Sequence, residues 1–160
     1  GADGETIFGG PALFGVGRVR FEGDRYSPDP QGEPAVIVAA GACDEWGWRC
    51  VDDLIAYRPR EPERWALRRG DEAVLGRSAL VDARMRGEPV MLFQHPHEWI
   101  LNGSAGAVVI DWRGVLLPWF WAVKVLATES GIAARLQRHL DGEVANQRPE
   151  IRVCETRVAA

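Results

Sequence analysis

Two histidines with a proline between them, His95-Pro96-His97, and two cysteines on either side of a turn, Cys43 and Cys50, are the residues of this chain best suited to hold a metal ion. Two thiolates and two imidazoles make a competent tetrahedral zinc set. The cysteine spacing is wider than the two to four residues that zinc knuckles use, so the plain alternative is two small buried thiols and two loop histidines. A cross-strand disulfide between Cys43 and Cys50 fits a hairpin, but a reducing compartment disfavours it. No cofactor-binding motif accompanies these residues.

Carboxylates form the second group. Asp44, Glu45, Asp52 and Asp53 surround the same turn. Paired acids can hold Mg²⁺ or divide acid and base roles. Asp52 and Asp53 are neighbours on a strand, so they point to opposite faces and cannot chelate one ion together. The alternative is a solvated hairpin end, with one strand-face acid paired to an arginine. Asp111 follows the apolar run Ala107-Val108-Val109-Ile110, the place where open α/β sheets put catalytic acids. With His95 or His97 it would make an acid–base or metal pair. The alternative is an acid that caps the turn before Arg113-Gly114.

Several chemistries are disfavoured. No glycine-rich loop ends in Lys-Ser or Lys-Thr, which argues against nucleotide hydrolysis of that type. Gly103-Ser104-Ala105-Gly106 falls short of a nucleophile elbow, because Asn102 stands at the first glycine position and the serine follows a helix. Lys124 is the only lysine among nineteen basic residues. It lies in an apolar stretch, where a stem along the surface with its head in water is the ordinary arrangement.

The arginine excess reads as coding bias or as selection for bidentate contacts to phosphate and carboxylate. A net charge of −4 speaks against a broad nucleic-acid surface and leaves room for a local arginine groove. Three cysteines and a polar start without a basic-then-apolar leader read as a cytoplasmic protein with reduced thiols. The longest apolar stretch, Val115 to Ala127, is broken by Pro118 and Lys124 and falls short of the roughly 20 residues a bilayer needs.

These groups need elements to position them. At 160 residues the chain reads as one domain with a frayed, disordered lead-in over residues 1–12. Strands are expected at Leu13–Phe21, Ala35–Ala42, Arg49–Tyr57, Trp65–Arg68 and Ala73–Leu75, forming an antiparallel meander. Residues 22–34, with three prolines, read as a long exposed loop. The second half reads as β-α-β-α-β. A helix runs from Ala79 to Arg86, capped by Ser78 and ended by Gly87. Val90–Phe93 is a strand, Pro96 starts a helix that stops at Asn102-Gly103, and Ala107–Ile110 is a strand. Pro118 opens the longest helix, to about Leu140, and Ile151–Cys154 is a final strand. The fold class is therefore α+β.

Seven tryptophans complete the picture. Trp46 and Trp48 sit at a hairpin tip. Trp119, Phe120 and Trp121 are consecutive, and neighbours on a helix diverge by about 100°, so at least one ring faces outward or into another chain. That makes Trp119–Trp121 the expected interface of a homodimer or a protein partner. Trp65, with Arg64, Arg68, Pro59, Pro62, Gly70 and Leu75-Gly76, lies in a segment beginning Asp53-Leu54-Ile55-Ala56-Tyr57. This segment resembles a stretch of uncharacterised bacterial proteins linked to prophages and mobile elements. The resemblance implies a neighbourhood, mobile-element DNA metabolism, and no particular activity. The expected role is a small binding or accessory protein with a protein or nucleic-acid partner. The enzyme alternative rests on Asp111 with His95 or His97.

Overall fold

The structure is a computed structural model that describes residues 14–43 and 49–146. Five strands of the first half, β1 (Phe14–Glu22), β2 (Arg25–Pro28), β3 (Glu33–Cys43), β4 (Arg49–Arg58) and β5 (Glu61–Leu67), close into a barrel in the order β1-β2-β5-β4-β3. The meander β3-β4-β5 is antiparallel, as the short connections between its strands require. Closure comes from a parallel contact between β2 and β5, with Arg25 opposite Leu67. So small a barrel leaves little room inside. Its interior is Val19 and Tyr26 with three alanines, Ala35, Ala56 and Ala66.

The expected loop over residues 22–34 is instead mostly strand. β1 continues to Glu22, turns at Gly23-Asp24, and returns as β2. The prolines sit where a missing N–H does least harm: Pro28 ends β2, Pro30 lies in the turn, and Pro34 stands near the start of β3. That turn is closed by Asp29, which accepts from the N–H groups of Gln31 at 2.9 Å and Gly32 at 2.8 Å.

β6 (Val74–Leu75) does not join the meander. It crosses to a second sheet with β7 (Pro89–Phe93), β8 (Ala107–Val109) and β9 (Lys124–Ala127), in the order β6-β8-β7-β9. β6 is antiparallel to β8, while β7 is parallel to both β8 and β9. Among the described residues, four helices pack with these sheets: α1 (Arg77–Arg86), α2 (Pro96–Leu101), α3 (Leu117–Phe120) and α4 (Ser130–Asn146). α1 is preceded by Gly76, not capped by Ser78. A Cβ at Gly76 would collide with the Gly106 carbonyl, and its φ of 81° suits glycine. Gly87 ends α1 as expected, at φ 67°.

The helix expected from Pro118 to about Leu140 is three elements. α3 stops at Phe120, Ala122 takes φ 57°, and the chain then runs as the edge strand β9 before α4 begins. Val123 and Val125 alternate with the exposed Lys124 and Leu126 at period two, and β-branched residues prefer the pleat. The long helix is α4, with 17 residues. Ile151–Cys154 lies outside the described residues.

The second sheet has two covered faces. Val90 and Leu92 of β7 point toward Leu80 of α1, Phe120 of α3, and Ile132 and Leu136 of α4. Phe93, Leu75 and Val108 point the other way, onto Val38, Ile55, Tyr57 and Leu67 of the barrel and Trp99 of α2. Burying side chains such as Leu92 and Leu80 fully is worth about 2 kcal/mol each. The barrel and the second sheet therefore share a continuous apolar interface.

Candidate functional site

The three parallel strands end at the same edge. β7 runs into Gln94-His95, β8 into Ile110-Asp111, and β9 into Thr128-Glu129. The β7-α2-β8 crossover lies on the barrel side, and β8-α3-β9 lies on the other. The carboxyl end of β7 is therefore a topological switch point, where open α/β sheets bind ligands. Glu98 of α2 accepts there from the backbone N–H groups of Gln94 at 3.1 Å and His95 at 3.3 Å. With its amide turned to satisfy both ends, Gln94 donates to Glu129 Oε2 at 2.6 Å. His95 and His97 stack with centroids 5.7 Å apart, and the Nδ1 of each is buried without a hydrogen-bond partner.

The barrel covers this edge. The Trp65 ring meets His95 edge-on at 5.9 Å, and Tyr57 meets His97 at 6.5 Å. The Trp65 indole N–H donates to the Ile110 carbonyl at 3.0 Å. Trp65 thus stands between the histidines and the end of β8.

Asp111 is occupied on its own side. Its Oδ1 accepts from the Arg113 backbone N–H and Nε, both at 2.9 Å, and its Oδ2 accepts from Nη2 at 3.0 Å. The Gly114 N–H donates to the Asp111 carbonyl at 3.3 Å, which closes the turn. Hydrogen bonding to Arg113 holds the Asp111 carboxyl below its ordinary range. A carboxylate kept charged and bidentately paired is poorly placed to exchange protons. The turn-capping arrangement is the one observed, and the structure does not bring Asp111 onto the histidines.

The cysteines lie elsewhere. In backbone register Cys50 is opposite Ala42 and Cys43 opposite Arg49, at the far end of the β3–β4 hairpin. Tyr57, the β4 residue against His97, is seven residues farther along, so about 20 Å of strand separates the two pairs. Among the described residues no three metal-ligating side chains gather. Asp44, Glu45, Trp46, Trp48 and Cys154 fall outside the described residues.

Asp52 and Asp53 stand where the β3–β4 register shifts, so the alternation that would place them on opposite faces is broken, and both reach the stretch between residues 69 and 77. Asp52 pairs with Arg77, which also reaches Glu72 at 2.9 Å and lies 4.7 Å over the Trp119 ring. Asp53 is 2% exposed, and its role was not legible beforehand. Its carboxylate accepts from the backbone N–H groups of Leu54 at 2.7 Å, Arg69 at 2.8 Å, Gly70 at 2.6 Å and Asp71 at 3.1 Å. It is the anchor of the link from β5 to β6.

The aromatic triplet divides. Phe120 is core, Trp119 is half-buried beneath Arg77, and Trp121 is 63% exposed. One ring does face outward, although the helix here is only the short α3, which ends before Trp121.

Open space appears at the mouth of the barrel. Phe21, Gly23, Arg58, Arg64 and Trp65 line a shallow cleft of about 200 Å³. Alternation from Ala66 carries Arg64 toward this mouth, and a register shift between Tyr57 and Arg58 sets Arg58 beside it. The Arg58 guanidinium lies 4.2 Å over the Phe21 ring. Its Nε and Nη2 donate to Glu33 at 2.5 and 3.1 Å, and Glu61 is 3.6 Å away. The Arg58 hydrogen bond holds Glu33 below its ordinary pKa. Arg64 has Glu61 at 3.6 Å, and its side chain is 74% exposed. Sequence reasoning missed this cleft; the available signal was three arginines, Arg58, Arg60 and Arg64, around a proline-rich turn that ends at Trp65.

No protein-family model matches the chain, and no curated protein or solved structure is found to be similar to it.

Proposed function

We propose that this chain is a binding module that receives an anionic partner at the mouth of its barrel. One observation carries the reading: two arginines and two aromatic rings line the same open cleft, while the acid and histidines of the catalytic alternative are turned apart by Trp65. Guanidinium groups recognise carboxylate and phosphate through a planar fork, and flanking rings add a stacking surface. A role in mobile-element DNA metabolism is consistent with this chemistry and rests on the resemblance of the Asp53–Gly76 segment. Among the described residues no helix is long and apolar enough to cross a membrane.

Backbone-amide NMR during titration with inorganic phosphate, a single-stranded oligonucleotide and an acidic phosphopeptide tests the reading. At least one of them is expected to shift the amides of Phe21, Gly23, Arg58, Arg64 and Trp65, and Arg64→Ala should weaken that response. Shifts centred on Gln94–Glu98, or none anywhere, would overturn it.

Self-association is a second reading, and the exposed ring of Trp121 favours it. Burying one such ring in a second copy contributes on the order of 2 kcal/mol. Sedimentation at micromolar concentration should show the parent heavier than Trp121→Ala; a monomeric parent ends this reading.

A further inference from the structure

The chemistry at the barrel mouth is divided between its two arginines, and the division selects a partner. Arg58 has its donor edge taken up by Glu33, with Glu61 alongside, and one face of its guanidinium lies against Phe21. What it has left for a ligand is its other face, and the side chain is 27% exposed. A planar cation clamped at its edge and backed by a ring is a stacking platform, not a phosphate fork. Arg64 is the opposite case. Its carboxylate neighbour, Glu61, is 3.6 Å away and shared with Arg58, so its donors are free to meet an anion. Trp65 is fixed by its hydrogen bond to Ile110 and supplies a second aromatic wall.

From this geometry we infer that the cleft takes one unstacked nucleotide of a single-stranded nucleic acid, with its base on the Arg58–Phe21 stack and its phosphate on Arg64. The inference rests on the binding reading above and goes beyond it by naming the partner. A cleft of about 200 Å³ has room for one planar base. A base within a duplex cannot present its face, so single strands are favoured. Glu33 and Glu61 at the rim, together with the net charge of −4, oppose a long phosphate track. Binding therefore depends on salt as about one phosphate contact does, with a slope in log affinity against log salt of roughly −0.7.

The test is fluorescence anisotropy of the full chain with a labelled fifteen-nucleotide oligo-dT strand, the same strand paired with oligo-dA, and a labelled acidic phosphotyrosine peptide. The single strand should bind, and the duplex should bind at least about tenfold more weakly, as loss of one stacked base implies. Arg64→Ala should weaken the single strand by about tenfold and flatten the salt slope, as loss of one phosphate contact does. Arg58→Lys should weaken it while leaving the slope, because charge stays and the plane goes; its urea midpoint shows whether the barrel is intact. If the barrel is not intact, Arg64→Ala, at an exposed position, decides alone. Equal binding of strand and duplex overturns the inference. Binding of the phosphopeptide alone, lost in Arg64→Ala, overturns the nucleotide and keeps the anionic cleft. Binding of none of the three overturns both.

Discussion

Two edges of this molecule invite a ligand, and they differ in what their polar groups have left to give. At the carboxyl edge of the parallel strands, Asp111 is spent on Arg113, Glu98 on two backbone amides, and the histidines are covered by Trp65 and Tyr57. At the barrel mouth the side chains are paired as well, yet Arg58 keeps a free face and Arg64 keeps free donors. A favourable topological position makes a site only when the groups placed there are left unfinished. Here neighbouring residues finish the two carboxylates, and the barrel, packed across the switch point, covers the histidines.

The largest effect that sharpens this contrast comes from Asp53, because it holds the link that ties the barrel to the second sheet. Asp53→Ala strands the amides of Arg69, Gly70 and Asp71. An unpaired buried donor costs about 1–3 kcal/mol; Arg69 and Asp71 are exposed, so water recovers part of this, and a total loss of about 3 kcal/mol is expected in urea unfolding. Asp52→Ala is the control: Arg77 keeps Glu72, and a loss near 1 kcal/mol is expected for a partly exposed pair. Equal losses in the two variants would mean that the Asp53 link is not what joins the layers.

Much of the fold was legible because period-two and period-3.6 patterns are local. β3, β4, β7, β8, α1 and α2 fell where short apolar runs, turn residues, Pro96 and Gly87 put them. What was not legible depends on contacts between distant segments. Closure of the barrel rests on one parallel pairing, Arg25 with Leu67, which no local pattern announces. The segment after Pro118 carries an apolar run that suits helix and strand alike, and the edge position of β9 decided for strand. The candidate site was less visible still. Arg58 and Arg64 meet locally, across the tight β4–β5 turn at Glu61, but Phe21 comes from β1, and no local pattern announces that it lies under Arg58. Adjacent acids looked like the chemistry, but Asp53 proved structural because the backbone of residues 69–71 folds back onto it.

A middle-sized effect tests the closed edge directly. Trp65→Phe keeps a ring against His95 and removes the indole N–H that holds the Ile110 carbonyl. The Ile110 residue is buried, so the loss should be about 1–2 kcal/mol. Imidazole proton resonances of His95 and His97 should also move, since Trp65 is the lid over them. Should the variant unfold as the parent does, with unmoved histidine resonances, then Trp65 is no lid and the edge is more open than its contacts imply.

The smallest effect concerns the last tie between the two regions. Arg113 reaches Asp24, in the β1–β2 turn of the barrel, at 2.6 Å while it holds Asp111 at the sheet edge. Asp111→Asn keeps an oxygen for the Arg113 backbone N–H and Nε, and it removes the charge and the second oxygen that accepts from Nη2. Arg113 is 66% exposed, so solvent screening makes this cost at neutral pH the smallest of the set. The pH dependence gives this small effect its meaning. Hydrogen bonding to Arg113 lowers the folded-state pKa of Asp111 from its ordinary 3.8. A lowered carboxyl contributes its stability above the unfolded value and loses it as pH falls through the folded one. The gap between parent and variant should therefore be full at pH 6 and shrink as pH drops below about 4, because the parent then carries a neutral acid of nearly the same shape. Urea midpoints at four or five pH values read this directly. A gap that widens toward acid would place the stabilising proton on some other group, and Asp111 would then be less fully committed to Arg113 than the geometry shows.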